Sequence, residues 1–217
     1  MHPIERLRYV ARSGFGPPDA LAAEAAWALS DLAEREPQAV LPACRRLLAR
    51  HPGCGPLWWV AARIVTAGDP VVEGERCAEA LECDRTDELL DEAVAPAARL
   101  VRRGGVGDVA SADIVLVNAD ACGGGQMVVD ADVLGLLEAA RVVEVPVWVQ
   151  AGVGRILPPR LFAALERKLE AAPQSHAGVV VELTGVARLV GPHGAQTPAV
   201  ALGRVDCPEP PELLARW

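Results

Sequence analysis

The sequence predicts an α/β protein in which an N-terminal helical bundle is followed by a reduced Rossmann-like, mainly parallel sheet. Over roughly the first 90 residues, apolar side chains recur at helical spacing between Pro/Gly turns, as in short packed helices. After about residue 95 they form continuous runs, such as ADIVLV at 112–117 and VPVWVQ at 145–150, which are typical of buried parallel strands. We therefore expect a helical domain over 1–90 and a Rossmann-like domain over 91–217.

Helical patterns separated by proline and glycine turns account for the first domain. The first pattern opens at Pro17-Pro18-Asp19 and closes before Pro37. Further patterns cover 39–50, 56–67, 73–81 and 86–93. No run of about twenty apolar residues occurs in the chain, so the sequence predicts no membrane-spanning helix.

In the second domain, strands and helices alternate. Strands are expected over 97–101, 112–117, 145–150, 178–183 and 198–205, with 186–190 forming a hairpin with one of these last two strands. Helices are expected over 130–141 and 158–171. Because the strands 112–117 and 145–150 flank one helix, they should lie parallel and be joined by a right-handed crossover.

Composition and charge exclude several classes of function. The net charge of the 217-residue chain is −8, whereas a nucleic-acid binder would show a basic face. The first residues lack the pattern of a secretory signal, which predicts a cytoplasmic protein. The six cysteines have neither CxxC spacing nor the close pairing of a disulfide framework, so we expect buried free thiols, no metal site and no cofactor.

Asp120 is the most informative candidate for chemistry. It lies just beyond the predicted strand 112–117 and ahead of a glycine-rich turn, at the edge of the sheet where open α/β proteins bind their ligands. A carboxylate there can accept a substrate hydroxyl or act as a general acid/base. The alternative is that Asp120 only caps its own turn.

Other residues near this edge are candidates for holding a ligand. The three glycines would let backbone N–H groups approach a phosphate, but they match neither the Walker nor the dinucleotide fingerprint, and a plain turn is the alternative. Arginines that follow the strands 97–101 and 145–150 are either anion ligands or solvated side chains. The candidate ligand-binding residues are Arg102, Arg103, Asn118, Gly123, Gly124, Gly125, Asp130 and Arg155, of which Asp130 is also expected to cap the next helix.

One long stretch carries a family resemblance. Residues 105–152, GVGDVASADIVLVNADACGGGQMVVDADVLGLLEAARVVEVPVWVQAG, resemble the core of a superfamily with three groups. These are the regulatory subunits of eukaryotic translation initiation factor 2B, methylthioribose-1-phosphate isomerase and ribose-1,5-bisphosphate isomerase. The tail at 205–214 is similar to the family's closing segment. The resemblance implies Asp120 as the catalytic aspartate, a phosphorylated small molecule as ligand, and assembly through the α/β halves with a second copy or a related subunit.

Departures from the family pattern point away from catalysis. The isomerases pair this aspartate with a cysteine at the end of an early strand, and no cysteine of this sequence fits that role. Asn118 replaces a glycine, and the segment with Asp130 and Asp132 has lost a phosphate-compatible lysine. We therefore expect a non-catalytic binding or scaffold protein that dimerises, with sensing of a phosphorylated sugar or nucleotide as a related use. The alternative is an aldose–ketose isomerase of a sugar phosphate, with Asp120 as acid/base and Cys122 as second group.

Overall fold

The structure is a computed structural model that describes residue 5, residues 17–172 and residues 178–215. Its helical half contains α1 (Pro18–Arg35), a 3₁₀ turn (Pro37–Ala39), α2 (Val40–Arg50), α3 (Gly55–Thr66), α4 (Pro70–Glu82) and α5 (Thr86–Ala93). Prolines occupy the first turns of α1, α3 and α4, where a backbone N–H is not needed. The predicted helices are confirmed. Within the described ranges, no helix is both long enough and apolar enough to cross a membrane.

The second half combines strands and helices, as predicted, but in two places three strands follow one another without a helix between them. Its elements are β1 (Leu100–Val101), α6 (Val106–Ala110), β2 (Ile114–Asn118), β3 (Ala121–Gly123), β4 (Gln126–Val129), a 3₁₀ turn (Ala131–Val133), α7 (Leu134–Val143), β5 (Val147–Gln150), α8 (Pro159–Glu170), β6 (Val179–Glu182), β7 (Val186–Gly191), β8 (Gly194–Gln196), α9 (Pro198–Leu202) and α10 (Pro211–Leu214).

The main sheet is largely parallel. Its strand order is β1-β2-β5-β7-β8, with β1, β2, β5 and β7 parallel and β8 antiparallel at the edge. The parallel pairing of β2 with β5 brings Val115 opposite Val147. Four of the five residues of β2 are buried, which explains its continuous apolar run. The parallel βαβ arrangement predicted for 112–150 is therefore confirmed.

A second, antiparallel sheet of order β3-β4-β6 is absent from the sequence prediction. The turn between β3 and β4 contains Gly124 and Gly125, with φ of 60° and 86°. Glycine adopts this left-handed region without steric cost, so the predicted glycine-rich turn is the tip of a hairpin. The strand predicted at 178–183 is confirmed as β6, but it pairs with β4 instead of joining the main sheet.

Two expectations for the C-terminal region are wrong. Residues 198–205 form no strand, because Pro198 is suited to a first helical turn and α9 runs from there to Leu202, just before Gly203. The strand predicted at 186–190 exists as β7, but its hairpin partner is β8 and not either of the segments expected. A short turn between Gly191 and Gly194 connects β7 to β8.

One hydrophobic cluster joins the two halves of the chain. Leu57 and Trp58 of α3 belong to the same buried cluster as Phe162 and Leu165 of α8 and Val128 of β4. The main sheet packs into a second cluster with α7 and β4. Because the helices and the α/β half share a core, the domain boundary near residue 90 stays a prediction.

Candidate ligand-binding cleft

A cleft of about 840 Å³ opens at the carboxyl ends of the parallel strands. Arg102 follows β1, Asn118 ends β2 and Gln150 ends β5, so three neighbouring strands supply side chains to it. The start of α1 and the segment from α4 to α5 supply further lining residues. We call it the acidic cleft, because its charged lining among the described residues is Asp19, Asp84, Asp87, Asp91, Asp120 and Asp130, with Arg102 and Arg155 opposite.

Part of the predicted site meets in this cleft. The residues that line it lie at or after the ends of four strands, β1, β2, β4 and β5, and are Arg102, Asn118, Asp120, Asp130 and Arg155. Arg102 donates a hydrogen bond of 3.3 Å to the side-chain oxygen of Gln150. Within the described part of the chain, no three His, Cys, Asp or Glu side chains are placed to hold a metal ion. The carboxylates therefore surround the cleft without converging on one point.

The backbone of Asp120 is held from both sides. Its N–H donates to the carbonyl of Val128 on β4 at 2.8 Å, and its carbonyl accepts from the N–H of Gly55 at the start of α3 at 3.0 Å. A Cβ atom on residue 55 would lie 2.5 Å from that carbonyl oxygen, so glycine is what allows α3 to approach. The sheet and the helical half thus fix the position of the Asp120 carboxylate together.

Arg155 lies at the centre of the ion pairs in the cleft. Its guanidinium donates two hydrogen bonds to the Asp19 carboxylate, at 2.6 and 3.2 Å, and one to the carbonyl of Ala119, at 2.7 Å. An oxygen of Asp120 is 3.5 Å from the same guanidinium. The Arg155 side chain is 12% exposed, so these contacts are largely shielded from water. They tie the first turn of α1 to the loop after β5.

The pKa of Asp120 is raised from 3.8 to about 6. Burial is the main cause, the Arg155 guanidinium opposes it, and the carboxylates of Asp130 and Asp19 add to the rise. A carboxyl group with a pKa near 6 exchanges its proton close to neutral pH, which is a requirement of general acid/base chemistry. The cleft therefore contains one group with suitable proton affinity.

Cys54, for which the sequence predicts no role at this site, lies near Asp120. Cys54 directly precedes α3, and its thiol is close enough to Asp120 and Arg155 for their charges to act on it. Burial raises the pKa of the thiol to about 12, and the sulfur lies 3.8 Å from the carbonyl oxygen of Pro18. The family pattern places its cysteine after a strand, whereas Cys54 precedes a helix. Only the run GCGP at 53–56, whose small residues permit close approach, signals it in the sequence.

Other predicted site residues lie outside the cleft. Cys122 has no exposed surface and packs in the core of the sheets, where burial raises its pKa to about 12. Gly123 permits the close approach of α8, because a Cβ there would lie 2.6 Å from Phe162 Cβ. Gly124 and Gly125 form the hairpin tip. Exposed Arg103 is not part of the lining either. The roles proposed for all these residues stay predictions.

Solved structures share this arrangement of elements over almost the whole chain. One chain of the tetrameric eIF2B-beta2-delta2 complex from C. thermophilum matches with a TM-score of 0.74 at 12% identity, covering 93% of this chain and 92% of that chain. The fold is that of the eIF2B subunits. The translation initiation factor eIF-2B of Pyrococcus horikoshii OT3 matches with a TM-score of 0.72 at 13% identity, covering 92% and 98%.

A solved isomerase structure is also similar to this chain. The 5-methylthioribose 1-phosphate isomerase of P. horikoshii OT3 matches with a TM-score of 0.54 at 14% identity, covering 90% of this chain and 84% of that chain. Neither a known family model nor a curated protein sequence matches this chain. At sequence identities this low, structural similarity shows the fold alone. The resemblance of residues 105–152 is therefore confirmed for the fold.

Proposed function

We propose that this chain is a cytoplasmic, non-catalytic binding or scaffold protein with the eIF2B-like fold. The observation that carries the proposal is the charge of the acidic cleft, whose described lining has six aspartates and two arginines. A phosphorylated sugar brings a doubly charged phosphate, which this lining would repel. The resemblance implies a phosphorylated ligand, and the negative charge of the cleft disfavours such a ligand.

The two arginines do not reverse this balance. Arg155 already donates hydrogen bonds to the Asp19 carboxylate and the Ala119 carbonyl, and the Asp120 carboxylate lies beside it. Arg102 donates to Gln150 at the rim of the cleft. Binding a phosphate on Arg155 would leave the half-buried carboxylates of Asp19 and Asp120 without their partner, which costs free energy. Within the part of the chain that the structure describes, a sugar phosphate therefore meets no preorganised cation in this cleft.

Isomerisation also needs two groups that move a hydrogen between adjacent carbons. Asp120, with its raised pKa, meets the requirement for one of them. The nearby Cys54 has a pKa of about 12 because it is buried, so it stays protonated and is a poor base or nucleophile at neutral pH. A single competent group favours loss of catalysis.

The proposal includes assembly with another chain. One of the eIF2B-like structures is a tetrameric complex. Here α7 exposes Leu134 and Val142 by 42% and 59%, and large exposed apolar side chains on one helix are typical of a contact surface. We expect a homodimer, or a pair with a related subunit. Sedimentation equilibrium should show a wild-type dimer that Leu134→Glu with Val142→Glu converts to a monomer; a wild-type monomer at micromolar concentration contradicts self-association.

The alternative function is a sugar-phosphate isomerase. It is favoured by the position of the Cys54 thiol beside a carboxyl group whose pKa is about 6. In that function Cys54 would be the second group, since Cys122 is sealed in the core. Substrate entry would have to change the surroundings of Cys54 enough to lower the pKa of its thiol.

Turnover measurements separate the two functions. Wild-type protein is incubated with methylthioribose 1-phosphate and with ribose 1,5-bisphosphate, and ³¹P NMR follows ketose formation while thermal melts follow binding. Our proposal expects no turnover and no rise in melting temperature. Turnover that Asp120→Asn and Cys54→Ala abolish would establish the isomerase, with Asp132→Asn as the matched control because Asp132 is exposed and outside the cleft lining.

A further inference from the structure

A second cavity lies beside the acidic cleft and shares Gly152 with it. Its volume is about 330 Å³, and its walls come from α3, α4, the loops after β5 and β7, and residues 201–206. Because β5 and β7 end there, it occupies the same carboxyl edge of the sheet. We call it the arginine pocket, since its charged lining among the described residues is Arg63, Arg76, Arg204 and Asp206.

The walls of the arginine pocket are mainly apolar. Its apolar lining includes Trp59, Ala80, Ile156, Leu189 and Ala201. The indole N–H of Trp59 donates to the carbonyl of Asp206 at 3.2 Å, which fixes the ring. Gly154, with φ of 74°, allows the loop after β5 to lie against that ring, because a Cβ there would be 3.1 Å from it. Since a cavity of about 150 Å³ accommodates benzene, this pocket has room for a ring or branched alkyl group with a polar head group.

Positive charge at this pocket is only partly compensated. Arg63 contacts Glu73 and lies 2.9 Å from Asp206, so its charge is neutralised. Arg76 is 69% exposed and 3.7 Å from Glu73, which is a loose contact. Arg204 is exposed, and its side chain has no hydrogen bond or ion pair within the ranges that the structure describes. The pocket thus combines apolar walls with an exposed guanidinium that lacks an acceptor among the described residues.

We propose that the arginine pocket binds a small organic carboxylate, with its apolar body against Trp59 and Leu189 and its carboxylate on Arg204. Concave, mostly apolar cavities with a few polar groups are the usual form of small-molecule sites, and 330 Å³ falls within their range. A guanidinium binds a carboxylate through two parallel hydrogen bonds, so one free arginine suffices for the head group. This inference is independent of the proposed function, because it uses no residue of the acidic cleft except the shared Gly152.

Calorimetric titration with three matched probes tests this proposal. 3-Phenylpropionate carries both the apolar body and the acid, 3-phenylpropionamide carries the body alone, and acetate carries the acid alone. We expect saturable binding of 3-phenylpropionate, and at least tenfold weaker binding of each of the other two. Equal binding of the amide would show that charge plays no part, and equal binding of acetate would show a general anion effect; either result overturns the proposal, as does the absence of 3-phenylpropionate binding.

Variants locate the binding site. Arg204→Gln should weaken 3-phenylpropionate binding at least tenfold, and Ala80→Phe, which fills the pocket from α4, should abolish it. Arg188→Gln is the matched control, because Arg188 is exposed on β7 and outside the pocket lining. The affinity of the Arg188→Gln variant for 3-phenylpropionate should stay within twofold of that of the wild type. Equal weakening by Arg188→Gln and Arg204→Gln would overturn the assignment to this pocket, and thermal melts show whether each variant is folded.

Discussion

The acidic cleft and the arginine pocket lie side by side at the same edge of one sheet, yet their charges are opposite and used differently. In the acidic cleft, Arg155 is 12% exposed and its contacts join the two halves of the chain. In the arginine pocket, Arg204 is exposed and has no contact of this kind among the described residues. A charge that supports the fold is not free to bind a ligand, so the more promising binding site is the one whose charge does less for stability.

The largest expected effect concerns thiol reactivity at the two cavities. Cys54 beside the acidic cleft and Cys77 in the arginine pocket are both buried, with pKa values raised to about 12, whereas Cys83 is exposed. Because the thiolate is the reactive form, native-state alkylation at pH 7.5 should label Cys83 at least about a thousandfold faster than the other two. Peptide mass spectrometry measures this ratio. Rapid labelling of Cys54 would instead reveal an activated thiol and favour the isomerase.

Removing the buried arginine should cost the most stability. Arg155→Gln leaves the carboxylates of Asp19 and Asp120 without their cation, and we expect a loss of about 3 kcal/mol in the free energy of unfolding, measured by urea denaturation. The matched change Arg204→Gln in the arginine pocket should cost less than about 0.5 kcal/mol. Similar losses of unfolding free energy for both variants would contradict the view that Arg155 supports the fold and Arg204 does not.

Asp120→Asn should stabilise the protein at neutral pH. The folded state raises the pKa of Asp120 from 3.8 to about 6, so its stability contribution is present below pH 3.8 and is lost as the pH rises through 6. That rise corresponds to about 3 kcal/mol at most, and solvent exposure of 30% reduces it to about 1–2 kcal/mol. Urea denaturation of both proteins should show no difference at pH 4 and a widening advantage of the variant up to pH 7.5. A constant difference at all pH values would contradict a raised pKa.

The smallest effect concerns the wall that the cavities share. A Cβ on residue 152 would collide with the Asp84 carboxylate, which accepts a hydrogen bond of 2.8 Å from the N–H of Val153. Because the end of a side chain can move, Gly152→Ala should cost about 1 kcal/mol, the value of the lost hydrogen bond. Chemical denaturation of this variant, with Gly105→Ala as control because a Cβ there meets nothing, measures the difference. Equal stabilities would show that the wall is not closely packed.

Local patterns were sufficient for most helices and for the central parallel strands. The run at 112–117 predicts β2 because a strand covered on both faces has no polar alternation. The hairpin of β3 and β4 was missed because its strands are three and four residues long and their partner β6 is about fifty residues away. Residues 198–205 were misread because a short apolar run suits either a strand or a helix.

For the site, the position after a parallel strand was the informative signal. It predicts Asp120, Asn118 and Arg155, which the structure places in one cleft. Asp19, Asp84 and Cys54 come from the helical half, and apart from the run GCGP around Cys54 their place in the sequence does not indicate that they lie at this cleft. Their proximity to Asp120 depends on how α1, α3 and α4 pack against the α/β half.

The sequence by itself determined the class of fold, the direction of the central strands and the edge at which Asp120 would lie, because these follow from local periodicity and from chain direction. Tertiary structure alone decided the sign of charge in each cavity, the position of Cys54 near Asp120, and the ion pair of Arg155 with Asp19. The physical reason is that charge balance and proton affinity depend on distances between residues up to 143 positions apart, and only packing sets those distances.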